Sequence, residues 1–195
     1  WQSRNCSFFY VKNVEQYVRS QEPEIIEQLK TENLTLSAKS FEYQSTIDSL
    51  TERLTSDTSD SAMGALSLFS TVKGQKDSTN PAQILIQDIK IERENQNAFI
   101  EFNIINTTND NEKLAGYIHV FMTDGNIFKH YPESNINSES FHLSFNHGES
   151  FATTRFRPVQ VKFKNITSKS VIFKIIIFNR VGDLIHQQQI KQEVQ

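Results

Sequence analysis

Residues 26–54 read IEQLKTENLTLSAKSFEYQSTIDSLTERL, and the fold turns on what this stretch packs against. Counted in sevens, Ile26, Asn33, Ser40, Ile47 and Leu54 share one position, and Leu29, Leu36, Tyr43 and Leu50 share another. An apolar repeat of 3.5 residues is the pattern of a coiled coil. Neither Pro nor Gly interrupts it, so a helix here would run roughly 45 Å at 1.5 Å per residue. Asn at a core position, with Ile and Leu around it, favours a parallel two-stranded coil. The expectation is therefore self-association as a dimer through Ile26, Leu29, Asn33, Leu36, Tyr43, Ile47, Leu50 and Leu54. The flanking positions supply no opposite-charge pairs, so partner choice would come from elsewhere. The competing reading is a single amphipathic helix lying on the chain's own β domain.

Upstream, Trp1, Arg4 and the cluster Phe8-Phe9-Tyr10-Val11 have the look of an aromatic belt beside a membrane, or of a short packed element. Ser20-Gln21-Glu22-Pro23 reads as a helix restart, since Pro is tolerated in a first turn and acidic residues suit the positive end of the helix dipole. Downstream, the Ser, Thr and Asp run at 55–61 ends the seam. Met63, Leu66, Phe69 and Val72 then recur at helical spacing, and residues 73–81 form a polar linker.

Beyond Pro81 the apolar period falls to two. Residues 84–93, 98–107, 113–123, 127–131, 141–145, 151–157, 159–164, 171–180 and 184–190 all read as strands, separated by Asn-, Asp- and Gly-rich turns. Strands this frequent, with no helical interlude, predict an antiparallel sandwich. Ala98, Ile100, Phe102 and Ile104 mark one inward row, and Val159, Val161 and Phe163 another. Residues 171–178, VIFKIIIF, are apolar on both faces and must be covered twice. One cover is the second sheet; the other is the 62–72 segment or another chain. The predicted architecture is an N-terminal α-helical coiled coil at 1–54, a linker with a short helix at 55–81, and an all-β antiparallel sandwich domain at 82–195.

Composition narrows the function classes. A net charge of −3 and a pI near 6.0 give no general pull towards nucleic acid. The single cysteine, Cys6, cannot form an intramolecular disulfide. Asn5, Asn33, Asn106 and Asn165 open N-x-[ST] tripeptides, but a glycan on Asn33 would block the seam, which marks these as chance matches. No run approaches the roughly 20 apolar residues of a membrane span. G-x-S-x-G, H-E-x-x-H, P-loop and C-x-x-C patterns are all missing from the sequence. The five histidines, His119, His130, His142, His147 and His186, show no metal-ligand spacing. The expectation is a protein that is not an enzyme and uses no cofactor.

One charge feature stands out. Between Glu149 and Asp183 the ionised residues are all basic: Arg155, Arg157, Lys162, Lys164, Lys169, Lys174 and Arg180. Alternation puts Arg155 and Arg157 on one outward row and Lys162 and Lys164 on another. If their strands are neighbours, the four form a patch for an acidic partner. A solvated sheet face explains the same charges.

The layout resembles a group of uncharacterised proteobacterial single-pass membrane proteins with a coiled coil followed by a periplasmic β domain. The resemblance is carried by the opening strand at 84–91, by Ala115-Gly116-Tyr117-Ile118-His119-Val120, by Ser150-Phe151-Ala152-Thr153-Thr154-Arg155-Phe156-Arg157-Pro158-Val159, and by the closing hairpin at 178–190. It implies an inner-membrane anchor upstream of Trp1, a periplasmic location, other envelope proteins as partners, and no enzymatic activity. The resulting expectation is a cell-envelope scaffold or binding protein. The alternative is a fibre or adhesin-like module with an oligomeric coil and a ligand-binding β domain.

Overall fold

The computed structural model describes residues 3–55, 66–108, 112–133, 142–166, 168 and 170–193, with side chains described from residue 23 onward. The side chains of the aromatic stretch 8–11, the polar run 56–61 and residues 134–141 lie outside that set. The chain divides into two compact units, Trp1–Ser45 and Thr46–Gln195.

Helix α1 spans Ser3–Thr55 and contains Pro23. The restart expected at Pro23 is not there; a residue without an N–H removes one rung of the ladder without ending it. Threonines along the helix satisfy their hydroxyls locally: Thr31 donates to the Glu27 carbonyl at 2.9 Å and Thr35 to that of Thr31 at 2.8 Å.

The coiled-coil expectation is corrected by this helix. It is single, with no other α-helix of comparable length among the described residues. In the first unit, Ile26, Leu29, Asn33, Leu36 and Tyr43 are exposed. In the second, Ile47 is half-buried, while Leu50 and Leu54 are buried in the core of the chain's own β domain. The seam's last positions are thus spent on a sheet rather than on a second helix. Polar Asn33 and Ser40 at core positions weaken the repeat where a coil would need it most.

Eight strands follow: β1 Ile84–Glu94, β2 Asn97–Asn106, β3 Leu114–Thr123, β4 Phe128–Tyr131, β5 Glu149–Thr153, β6 Phe156–Phe163, β7 Ser170–Asn179 and β8 Leu184–Glu193. They build two antiparallel sheets, one ordered β1-β2-β6 and the other β4-β3-β7-β8, with β5 pairing β3 beside β4. The inward rows read from alternation meet between them: Ala98, Ile100, Phe102, Ile104, Val159, Val161 and Phe163 from one sheet, Val171, Phe173, Ile175 and Ile177 from the other. This is a β-sandwich core.

Strand β7 is buried on both faces, as its apolar run requires. Its second face carries Ile176 and Phe178 and joins a separate cluster with Leu50, Leu54, Leu68, Phe69, Phe121, Leu143 and Leu184. The second cover is therefore the helix end together with residues 66–70. Residues 68–70 run beside Leu143: Leu143 N–H donates to the Leu68 carbonyl at 2.9 Å, and Ser70 N–H to the Leu143 carbonyl at 2.8 Å. That single parallel bridge replaces the strand expected at 141–145.

Candidate functional site

The two sheets offer different chemistry on the faces turned away from the shared core. On the three-stranded sheet, pairing registers define successive cross-strand rows on the outer face. Leu85 stands opposite Ile105, and Ile105 opposite Phe156. The next row is Gln87, Asn103 and Pro158; then Lys90, Glu101 and Gln160; then Glu92, Phe99 and Lys162. The first row is apolar yet open, with Phe156 63% and Leu85 45% exposed. Isolated exposed apolar residues are ordinary, but two that flank the half-buried Ile105 in one cross-strand row make a patch.

Beside this row lies a cleft of about 400 Å³ between Asp88, Lys90, Glu101, Asn103, Pro158 and Gln160. A bulge shapes it. The β1–β2 register slips between Gln87 and Lys90, and Asp88 takes a positive φ of 55° within the slip. The Asn103 amide donates to the Asp88 carboxylate at 2.9 Å, and the Gln160 amide donates to Glu101. The floor is thus a mixed set of amides and carboxylates with an apolar rim at one end.

The basic residues singled out from sequence fall around this sheet rather than in one patch. Both pairs belong to a single strand's neighbourhood, with Arg155 and Arg157 at one end of β6 and Lys162 and Lys164 at the other. At about 3.3 Å per residue the ends are on the order of 20 Å apart. Arg157 shares the inward parity of Val159 and is half-buried, with its guanidinium 2.5 Å from Glu149. The Tyr131 hydroxyl donates to the same carboxylate at 2.8 Å; burial and the Glu149 charge push it up to about 12. Lys162 lies on the outer face with its ammonium 5.0 Å from the centre of the Phe99 ring. Arg155 is exposed in the β5–β6 turn, and the Lys164 carbonyl accepts from Lys129. The misplacement traces to Pro158, read as a strand break. It sits inside β6, an edge strand, where one side of the backbone has no ladder to feed.

On the five-stranded sheet the far face holds a buried polar set that sequence reading passed over. His119 of β3 and His130 of β4 are both buried, with His119 Nδ1 2.9 Å from His130 Nε2. His119 Nε2 lies 2.7 Å from the Phe145 carbonyl oxygen. A carbonyl can only accept, so Nε2 of His119 carries the proton and its Nδ1 is the acceptor. His130 must then donate through Nε2. Both rings are neutral, in a one-directional chain from His130 to His119 to Phe145. Burial pushes His119 down to about 4, partly offset by the Phe145 carbonyl, and pushes His130 down to about 3, helped by His119. Phe69 meets His119 edge-on at 4.8 Å, and Phe121 lies 4.7 Å from His130. A side chain at Gly148 would come within 2.6 Å of His119 Nε2, so the ring's position demands glycine there. The signal was available in sequence. A hairpin folded at residues 124–127 places Phe121 opposite His130, which sets His130 diagonal to His119 on one face.

Lys174 completes the set. It is 2% exposed and donates to the Leu54 carbonyl at 3.2 Å, at the C-terminal end of α1 where a cation complements the dipole. Thr51 and Thr123 share a hydrogen bond of 3.0 Å, and Arg53 donates to the Ser67 carbonyl. Among the described residues, no group of three or more His, Cys, Asp or Glu is placed to hold a metal ion.

No family model matches the chain, and no curated protein matches it. Solved structures give partial likenesses. OgpA from Akkermansia muciniphila overlaps 64% of this chain at 11% identity with a TM-score of 0.36, and the chain spans about a third (32%) of that protein's length. A DUF3823 family protein from Bacteroides ovatus overlaps 58% of this chain and 56% of its own, at 7% identity and a TM-score of 0.35. A β-glucosidase from Kluyveromyces marxianus overlaps 56% of this chain and 14% of its own, at 10% identity and a TM-score of 0.28. At these scores and identities they assign neither family nor activity.

Proposed function

We propose that this chain is a non-enzymatic binding protein whose β-sandwich is the interaction domain, with the outer face of the β1-β2-β6 sheet as the binding surface. The observation that carries the proposal is the in-register row Leu85–Ile105–Phe156, with Leu85 and Phe156 exposed on either side of the half-buried Ile105, beside a cleft of about 400 Å³. An exposed apolar row beside a cleft floored by amides and carboxylates offers a protein partner both apolar contact and hydrogen bonds. The side chains best suited to acid–base chemistry are committed elsewhere: His119 and His130 to each other, Lys174 to the helix end. A cell-envelope location, on the periplasmic side of the inner membrane with envelope proteins as partners, belongs to the same proposal and rests on the sequence resemblance. No helix among the described residues is long and apolar enough to cross a membrane.

The test is capture of a partner from an envelope extract by the wild type and by the double variant Leu85→Glu/Phe156→Glu. Loss of one captured protein, with unchanged urea unfolding, is the expected result. A second variant, Arg155→Glu/Lys162→Glu, assayed at low and high salt, reads the contribution of the flanking cations, whose attraction is screened beyond about 10 Å at 0.1 M. Equal capture by all three proteins would remove this face from consideration.

A further inference from the structure

Strand β6 carries the exposed Phe156 of the proposed binding face, and its ladder within its own sheet runs to β2 alone. Its other attachments come from across the sandwich. Strands β4 and β5 lie end to end along one edge of β3, β4 pairing with residues 120–123 and β5 with residues 114–118. Lys129 and Tyr131 of β4 stand opposite Met122 and Val120, and Glu149 of β5 stands opposite Ile118; those three partners line the sandwich core. Lys129, Tyr131 and Glu149 therefore share the inner face of that sheet and the same margin of it.

From this margin they meet β6 at both of its ends. Lys129 donates to the Lys164 carbonyl, just past β6. At the other end the Glu149 carboxylate is shared: one oxygen accepts from Arg157 Nη2 at 2.5 Å and the other from the Tyr131 hydroxyl at 2.8 Å. A guanidinium–carboxylate contact of this length is a charge-assisted bond, stronger than a neutral one. It is half-buried, so water screens it less than a surface pair, and removing one partner leaves the other's charge partly desolvated. Arg157 Nε is buried without a hydrogen-bond partner, which leaves the Glu149 contact to set the direction of the guanidinium.

Alternation turns this inward anchor into an outward one. Arg157 points to the core side, so Phe156 and Pro158 point out, Phe156 in the row with Ile105 and Pro158 in the row with Asn103. The chain reaches Phe156 through residues 154–155, which cross from one sheet to the other, and that crossover is fastened to the end of β2. Asn106 N–H donates to the Arg155 carbonyl at 2.8 Å, and its side-chain amide donates to the Thr154 carbonyl at 3.2 Å. Phe156 is thus fixed from β2 by Asn106 and from the five-stranded sheet by Glu149.

We propose that Glu149 is the positioning residue of the binding face: by holding Arg157 from across the sandwich, with Tyr131 steadying the carboxylate, it sets where β6 presents Phe156 and Pro158. The proposal rests on the reading of the β1-β2-β6 face as the binding surface. A side chain of β5 that never reaches the outer face then governs it, and the five-stranded sheet is coupled to the binding sheet through a carboxylate.

Amide hydrogen exchange of the full chain at neutral pH, on the wild type, Glu149→Gln and the control Ile177→Val, tests this role. In Glu149→Gln the β6 amides should lose protection by about tenfold, equivalent to about 1.4 kcal/mol, while those of β3 and β7 keep theirs. Ile177→Val trims the shared core without touching the clasp and should show no preference for β6. Adding Arg157→Gln to Glu149→Gln should cause no further loss, because the two side chains act as one unit. Should Glu149→Gln not fold, Tyr131→Phe, which removes a single hydroxyl, takes its place and should give a smaller loss confined to the same strand. Capture from an envelope extract is the second readout, and Glu149→Gln should weaken it although no outer side chain has changed. A β6 no looser than in the wild type, a loss spread evenly over both sheets, or a fully additive double variant overturns the proposal. Capture unchanged by Glu149→Gln but abolished by Leu85→Glu/Phe156→Glu also overturns it, and leaves the binding face standing. Capture unchanged by either removes the face itself, and with it this role for Glu149, whatever the exchange of β6.

Discussion

The two sheets of this sandwich share one core but treat their other faces in opposite ways. The five-stranded sheet is closed twice, its second face roofed by the chain's own helix end and residues 66–70. The three-stranded sheet is closed once, and its far face carries Leu85 and Phe156 into solvent. The same residue type therefore stands in contrasting settings: Phe178 at 0% exposure and Phe156 at 63%. Apolar surface needs an intramolecular cover only where the sequence supplies one, and what is left bare is available to a partner.

This contrast sets the order of expected effects. Phe178→Ala should be the most damaging change, costing about 3–5 kcal/mol because it empties a site packed by Phe69 and Phe145. Urea unfolding measures it; a cost near zero would mean that the second face is not packed as described. Lys174→Met should cost about 1–3 kcal/mol by leaving the buried Leu54 carbonyl without that donor. The loss should appear first as faster amide exchange in the last turn of α1. Phe156→Ala should lie within about 0.5 kcal/mol of wild type, as exposed substitutions do. A large cost there would show that the open face is covered after all, which would erase the difference between the sheets.

Most of the β domain was legible in the sequence because alternation is a local signal. The inward rows of β2 and β6 and the double burial of β7 follow from residues two apart. The failures came where a decision depends on a partner distant in sequence. A heptad pattern states that residues 26–54 have an apolar stripe, but not what covers it; Leu50 and Leu54 find Phe121 and Ile176, more than 60 residues away. Pro158 was read as a boundary because its tolerance depends on β6 being an edge strand, a fact of sheet order and not of local sequence. The histidine pair differs, because a local hairpin puts its members, 11 residues apart, on one face, and counting the register across that hairpin would have found it.

The contrast between a closed and an open face is tested most directly by hydroxyl-radical footprinting of side chains, on the purified chain and on the chain recovered in complex from an envelope extract. Phe156 and Leu85 should react in the purified chain and be protected in the complex, while Phe178 and Phe121 stay unreactive in both. Phe156 and Leu85 reacting equally in both samples, or Phe178 reacting in the purified chain, would contradict the assignment of the two faces.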